Sequence, residues 1–124
     1  MYNMLISIKP EYIENIFNGS KKYEYRKIRC KQDIDKIIIY STYPIMKVVG
    51  EAKVEKILED SPDRIWEKTK KYSGIDLNFY QKYFKDRSKA IAYKLTNIKK
   101  YDSPKELSSY GIKAAPQSFV YIQI

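Results

Sequence analysis

The first apolar stretches of the chain predict a strand followed by a short helix. Residues 4–8, MLISI, alternate apolar and smaller side chains, which indicates a strand that ends before Pro10. Proline suits the first turn of a helix, where its missing N–H is not needed. The next segment places four apolar side chains on one helical face: Tyr12, Ile13, Ile16 and Phe17. Gly19 suits the left-handed conformation that ends such a helix.

Three strands are then predicted in direct succession. The first is the alternating stretch KYEYRKI at residues 22–28, and the second is KIIIYST at residues 36–42. The third, KVVGEAKVEKIL at residues 47–58, contains Gly50, where a bulge or sharp bend would let one strand turn the corner of a small barrel. Three strands without an intervening helix argue against a doubly wound parallel sheet.

The second half of the chain predicts two helices and two more strands. Ser61 is a candidate N-cap followed by Pro62, and Gly74 marks the end of that helix. Asp76 is a candidate cap for a second helix, DLNFYQKYF. Alternation returns in AIAYKLTNI from residue 90, a helical turn is indicated in SPKELSSYG, and the last predicted strand is QSFVYIQI at residues 117–124.

This order of elements predicts an α+β fold. Six mostly antiparallel strands of this length would form a curved sheet that closes on itself as a small barrel, with short helices covering its ends. At 124 residues the chain is expected to be a single domain over residues 1–124.

The charge of the chain suggests an anionic partner without deciding which one. The net charge is +9, and basic surfaces gain affinity for phosphates. However, only four of the 24 basic residues are arginine, and a surface rich in lysine is also what an AT-rich genome encodes. The charge alone therefore leaves a nucleic-acid partner and a plain solvated surface both open.

The residue types restrict the possible chemistry. The chain has no histidine, which excludes Ser-His and Cys-His nucleophile pairs and zinc sites built on histidine. The single cysteine, Cys30, cannot form an internal disulfide, which fits a reducing compartment. Glu51 and Glu55 are too far apart along one strand to form a carboxylate dyad directly. We therefore expect neither a metal site nor a cofactor.

No segment of the sequence predicts a membrane protein. The longest apolar run, residues 37–40, is far shorter than the roughly 20 residues that a membrane helix needs. The first ten residues lack the basic flank and long apolar region of a signal peptide. We expect a soluble cytoplasmic protein.

One short stretch, GSKKYEYRK at residues 19–27, combines charged and aromatic side chains. In a strand, Glu24 and Arg26 project from one face while Tyr23 and Tyr25 project from the other. The tyrosines then serve the core, and the ionic pair faces either open solvent or a cleft. An exposed pair of this kind contributes at most about 1 kcal/mol and needs no function.

The spacing of this stretch is G-x-K-x-x-E-x-R, which resembles the signature of the ASCH domain, a branch of the PUA-like superfamily. The resemblance extends along nearly the whole chain, in order, through SIKPEYIENIFNG, IIIYSTYPIMKVVGE, IWEKTKKYSGIDLNFYQKYF and PQSFVYI. It implies a PUA-like pseudo-β-barrel with a cleft between the first helix and the sheet. It also implies RNA or nucleotide binding in that cleft.

Carried over from the family, the residues expected at the cleft are Lys9, Lys21, Glu24, Arg26, Tyr40, Ser41, Thr42, Gln117 and Ser118. Lysine and arginine would contact phosphates, Glu24 would accept a hydrogen bond from an exocyclic amine, and Tyr40 or Tyr43 would offer a stacking surface. Tyr40 could equally belong to the core.

The resemblance leaves an enzymatic alternative open. Some small ASCH proteins resemble hydrolases of acylated cytidine, in which this lysine works with a threonine at the glutamate position and with a later glutamate. Here Glu24 replaces that threonine, and Ser73 stands near the position of the later glutamate, with Glu67 a few residues away. Hydrolysis of a modified nucleoside or of RNA, with Lys21 and Glu24 as the catalytic residues, is therefore the alternative to a binding module. A protein partner has no signature in the sequence.

Overall fold

The computed structural model describes residues 1–123, so that residue 124 of the last predicted strand lies outside the described residues. The strands are β1 (Tyr2–Ile8), β2 (Tyr23–Arg26), β3 (Ile34–Ser41), β4 (Lys47–Asp60), β5 (Ala90–Lys105) and β6 (Phe119–Gln123). The helices are α1 (Pro10–Phe17), α2 (Pro62–Thr69) and α3 (Leu77–Tyr83), with short 3₁₀ helices at Lys70–Tyr72 and Leu107–Tyr110.

The strands form one six-stranded mixed sheet in the order β2-β5-β4-β3-β1-β6. β1 pairs with β3 in parallel, and the pairings β1–β6, β2–β5, β3–β4 and β4–β5 are antiparallel. The predicted α+β fold with six mostly antiparallel strands and short flanking helices is confirmed. The predicted closure of the sheet is corrected, because β2 and β6 are not paired with each other in the described residues and remain its outer strands. The parallel pair arises because α1 leads from the end of β1 into β2, and β2 then runs in the direction opposite to β1, so that β3 starts at the same end of the sheet as β1.

The helix starts follow the local chemistry that the sequence predicts. The Arg64 amide donates to the Ser61 hydroxyl oxygen at 3.3 Å, and the Phe79 amide donates to a carboxylate oxygen of Asp76 at 2.7 Å. The first of these helices is shorter than predicted, because regular α-helix ends at Thr69 and a 3₁₀ turn follows.

Gly50 allows the long strand β4 to bend under helix α1. A Cβ atom at this position would lie 2.5 Å from the carbonyl oxygen of Lys99 and 2.8 Å from the ring of Phe17. The register of β4 against both neighbours shifts beside Gly50, as expected at a bulge. The bulge predicted at Gly50 is therefore present, and the absence of a side chain there leaves room for the ring of Phe17.

Strand β3 divides the apolar residues between two sides of the sheet. Ile37 and Ile39 belong to the main core cluster with residues of β1 and α1, whereas Ile38 and Tyr40 pack on the opposite face. A further cluster joins β2 and β5 to α2 and α3, with Tyr25 and Tyr80 at its centre. Helices α1 and α3 therefore lie on either side of the start of β2.

Membrane-spanning helices and clusters of metal-binding side chains are both absent from residues 1–123. No helix in this range is long and apolar enough to cross a membrane. The same range holds no group of three metal-binding side chains of the His, Cys, Asp or Glu type.

Candidate functional site

A cavity of about 260 Å³ opens between α1, α3, the start of β2 and the end of β1. We call it the Lys21 cavity. Its charged side chains are Lys9, Lys21, Glu24 and Arg26, and three aromatic side chains from the two helices also line it: Tyr12, Phe79 and Tyr83. Ligand cavities combine apolar walls with a few convergent polar groups, and this cavity has that composition.

Lys21 lies at the base of this cavity and is only 2% exposed. Its amide donates to the Asn15 carbonyl at 3.0 Å, which anchors it to the end of α1. Its Nζ donates to the Ser73 carbonyl oxygen at 2.9 Å and lies 3.8 Å from Oε1 of Glu24. Burial lowers the pKa of Lys21, and the neighbouring Glu24 carboxylate opposes that shift.

Glu24, which is buried, and Arg26, which is partly buried, form an ion pair on the same face of β2. Nη2 of Arg26 lies 2.9 Å from Oε2 of Glu24 and also donates to the Ser7 carbonyl of β1 at 2.8 Å. Nη1 donates to the Ser118 hydroxyl at 3.3 Å. β2 and β6 are the two edge strands of the sheet, and Ser118 directly precedes β6. Arg26 therefore connects the two edges of the sheet across the cavity.

The charges around the cavity do not balance. Three cationic side chains line the cavity, Lys9, Lys21 and Arg26, together with the carboxylate of Glu24, which pairs with Lys21 and Arg26. Each oxygen of that carboxylate faces one cation, so Glu24 neutralises only part of the local charge. The lining of the cavity therefore carries more cationic side chains than carboxylates.

Aromatic rings from α1 and α3 form one wall. The ring centroids of Tyr12 and Phe79 are 5.5 Å apart, and those of Phe79 and Tyr83 are 6.2 Å apart with nearly parallel planes. The Nζ of Lys27 lies 4.7 Å from the centroid of Tyr83. A planar ligand would find ring faces and a cation at this wall.

The turn after Ser73 fits closely around Lys21. Gly74 has a φ of 65°, and a Cβ atom there would lie 2.3 Å from Cβ and 2.7 Å from Cγ of Lys21. The Gly74 carbonyl also accepts a hydrogen bond from the Asn15 side chain at 3.0 Å. Gly74 is thus required twice, by its backbone conformation and by its contact with Lys21.

The family model of the ASCH domain matches residues 6–105. The chain belongs to the ASCH domain family. Its structure is similar to the crystal structure of ASCH from Zymomonas mobilis, with a TM-score of 0.88, 25% identity, and coverage of 98% of this chain and 87% of that chain. The resemblance seen in the sequence is confirmed.

Two proteins of similar sequence are longer than this chain and differ from each other in name. The ASCH domain-containing ribonuclease of Zymomonas mobilis is 30% identical over 92 residues, which are 73% of this chain and 62% of that protein. The ATP synthase subunit alpha of Ureaplasma parvum serovar 3 is 31% identical over 121 residues, which are 97% of this chain and 15% of that protein. The chain therefore spans less than two thirds of either relative.

The ASCH domain brings most of the sequence-predicted site residues together. Six of them line the cavity: Lys9, Lys21, Glu24, Arg26, Thr42 and Gln117. Ser118 reaches it through Arg26, whereas Ser41 is buried and directs its hydroxyl to the Thr42 carbonyl. Tyr40 lies elsewhere, 3% exposed among Leu5, Ile38 and Val48 on the other face of β3. The expectation that Tyr40 offers a ring in the cleft is corrected, because alternation along β3 turns it away.

Sequence reasoning missed the aromatic wall and the Ser73 contact of the ASCH domain. Phe79 and Tyr83 are four residues apart on α3, and this spacing places them on one helical face. That signal was present in the sequence. The Ser73 carbonyl, 52 residues from Lys21, had no such local signal.

Proposed function

We propose that the Lys21 cavity binds one nucleotide of a single-stranded or looped RNA. The observation that carries this proposal is the combination of three cations, one carboxylate and four aromatic side chains around a space of about 260 Å³. Unstacked RNA bases are recognised by aromatic faces and polar side chains, and phosphates by Arg and Lys. The small volume favours a single nucleotide unit.

The aromatic wall and the charged floor of the cavity would hold different parts of the nucleotide. The nucleobase would lie against the rings of Phe79 and Tyr83, where stacking tolerates any of the four bases. Arg26 and Lys9 would attract the phosphate. The two carboxylate oxygens of Glu24 retain lone pairs after their contacts with Lys21 and Arg26, and would accept from an exocyclic amine.

Two further facts support an RNA ligand. A relative that is 30% identical over 92 residues is named as a ribonuclease. The chain itself carries a net charge of +9, which favours association with a polyanion.

The test is a titration of the purified chain with short single-stranded and hairpin RNAs and with matched DNA at two salt concentrations. Lys21→Met and Glu24→Gln alter the cavity, while Lys89→Ala removes a lysine whose side chain is 69% exposed and pairs with Glu59. We expect salt-sensitive binding that prefers RNA and weakens about tenfold in the cavity variants only. Equal affinities for wild type and all three variants would refute the proposal.

A second candidate function is RNA cleavage, which the ribonuclease name of the Zymomonas relative favours. In that reaction the 2′-hydroxyl oxygen attacks the adjacent phosphorus while its proton passes to Glu24. The bond from phosphorus to the 5′ oxygen breaks, and that oxygen takes a proton from Lys21. Arg26 would stabilise the charge on the phosphorane. The products are a 2′,3′-cyclic phosphate and a 5′-hydroxyl.

Product analysis separates the two functions. If the chain cleaves RNA, 2′,3′-cyclic phosphate ends accumulate with wild type and fall by at least about 100-fold with Glu24→Gln, the usual scale for loss of a general base. Intact RNA after prolonged incubation, with tight binding, would assign the cavity to binding alone.

The arrangement gives less support to hydrolysis of acylated cytidine. Among residues 1–123, Glu24 is the carboxylate that lies within 4 Å of the Lys21 amine. Ser73 presents its backbone carbonyl, and Glu67 pairs with Lys70 at the surface. Among the residues that the structure describes, the later glutamate of the hydrolase pattern thus has no counterpart beside Lys21.

A further inference from the structure

The loop between β3 and β4 starts at the cavity and carries exposed apolar side chains. Thr42 lines the Lys21 cavity, and Tyr43 follows it directly. Tyr43 is 81% exposed, and Ile45 and Met46 are also exposed. A ring this exposed is far from the usual environment of a tyrosine, whose apolar body is normally packed.

The backbone of this loop is fixed against the cavity. The Thr42 amide donates to the carbonyl of Ile8 at 3.1 Å, and Ile8 is itself a cavity residue. The Met46 amide donates a hydrogen bond to the Thr42 carbonyl at 3.5 Å. Met46 also has a φ of 54°, which is uncommon for a residue other than glycine. Consecutive Cα atoms are about 3.8 Å apart, so the Tyr43 backbone lies at the edge of the cavity.

We propose that Tyr43 is a stacking platform for the nucleotide next to the one held in the cavity. This inference rests on the proposed function, because it needs an RNA strand with one nucleotide in the cavity. The adjacent base leaves the cavity beside Thr42 and meets an exposed aromatic face. Stacking on such a face is independent of base identity.

The kind of ligand follows from the position of the Tyr43 ring directly beside the Lys21 cavity. The cavity favours an anion through Lys9, Lys21 and Arg26, and the flanking loop adds an apolar ring without adding an acidic group. An anionic backbone that carries planar bases matches both surfaces at once. A protein segment would use the ring without needing the cationic cavity, and equal trinucleotide binding by wild type and Tyr43→Ala would favour that occupant over RNA.

The test compares a nucleoside monophosphate, a trinucleotide RNA and the same trinucleotide with abasic flanks, by calorimetry or fluorescence. Tyr43→Ala removes the ring, Tyr43→Phe keeps it, and Ile45→Ala is the control within the same loop. We expect Tyr43→Ala to weaken trinucleotide binding about 5- to 150-fold, the range for loss of one stacked base. Tyr43→Phe and Ile45→Ala should stay near wild type.

The length dependence separates this inference from the proposed function. Tyr43→Ala should bind the monophosphate and the abasic-flanked RNA as wild type does. If wild type and Tyr43→Ala bind the intact trinucleotide equally while the monophosphate still binds, the stacking platform is refuted and the cavity stands. If wild type binds neither the monophosphate nor the trinucleotide, the proposed function fails and the platform fails with it.

Discussion

Replacing Gly74 by alanine should destabilise the protein through Lys21. An alanine with a φ near 65° costs about 1–2 kcal/mol, because Cβ then crowds the following carbonyl oxygen. The new Cβ would also lie 2.3 Å from Cβ of Lys21, and overpacking of this kind costs about 1–3 kcal/mol. The free energy of unfolding should therefore fall by about 2–5 kcal/mol.

Gly111 supplies a matched control. It has a φ of 72°, and a Cβ at this position would meet no atom within 4 Å. Gly111→Ala should thus lose only the conformational part, about 1–2 kcal/mol. The difference between the two variants, about 1–3 kcal/mol, measures the contact with Lys21 itself.

Thermal and urea unfolding followed by circular dichroism measure both variants. For a chain of this size about 1 kcal/mol shifts Tm by roughly 4 °C, so Gly74→Ala should melt some 4–12 °C below Gly111→Ala. Gly74→Ala should also weaken RNA binding, because Lys21 must move. Equal Tm values for the two variants, or unchanged RNA affinity in Gly74→Ala, would refute the role assigned to this turn.

Two further variants test the energetics around β2. Arg26→Met should lower the free energy of unfolding in urea by about 3 kcal/mol, because it leaves the buried Glu24 with one cation. Arg29→Met breaks a half-exposed pair with Glu59 and should lower it by less than about 1 kcal/mol. Similar losses in the two variants would contradict this difference. Burial raises the pKa of Tyr25 from 10.0 to about 12, so the unfolded chain loses this proton first and stability should fall as pH rises from 10 to 12. Tyr25→Phe should flatten that fall in urea titrations, and an unchanged pH dependence would count against the shift.

The spacing of the G-x-K-x-x-E-x-R stretch has a physical explanation in the fold. Glu24 and Arg26 are two residues apart in β2 and so share one face of the strand. Lys21 precedes the strand, where it bridges to Ser73, and its side chain returns to Glu24. The three charges meet because a strand follows directly on a helix end, and this local feature could be predicted from the sequence.

Contacts between segments far apart in the chain could not be predicted from the sequence. Tyr40 and Ser41 are neighbours in β3 and so face opposite sides of the strand, but the sheet order decides which side holds the cavity. The pairing of the Tyr12 and Phe79 rings depends on how α1 and α3 dock, across more than 60 residues. Periodicity identifies such faces without identifying their partners.

A crystal structure of the protein with a trinucleotide RNA would show directly whether the Lys21 cavity holds a nucleotide. We expect one nucleobase against the rings of Phe79 and Tyr83, with its phosphate within hydrogen-bond distance of Arg26 or Lys9. RNA bound across another surface, with the Lys21 cavity holding only water, would contradict it.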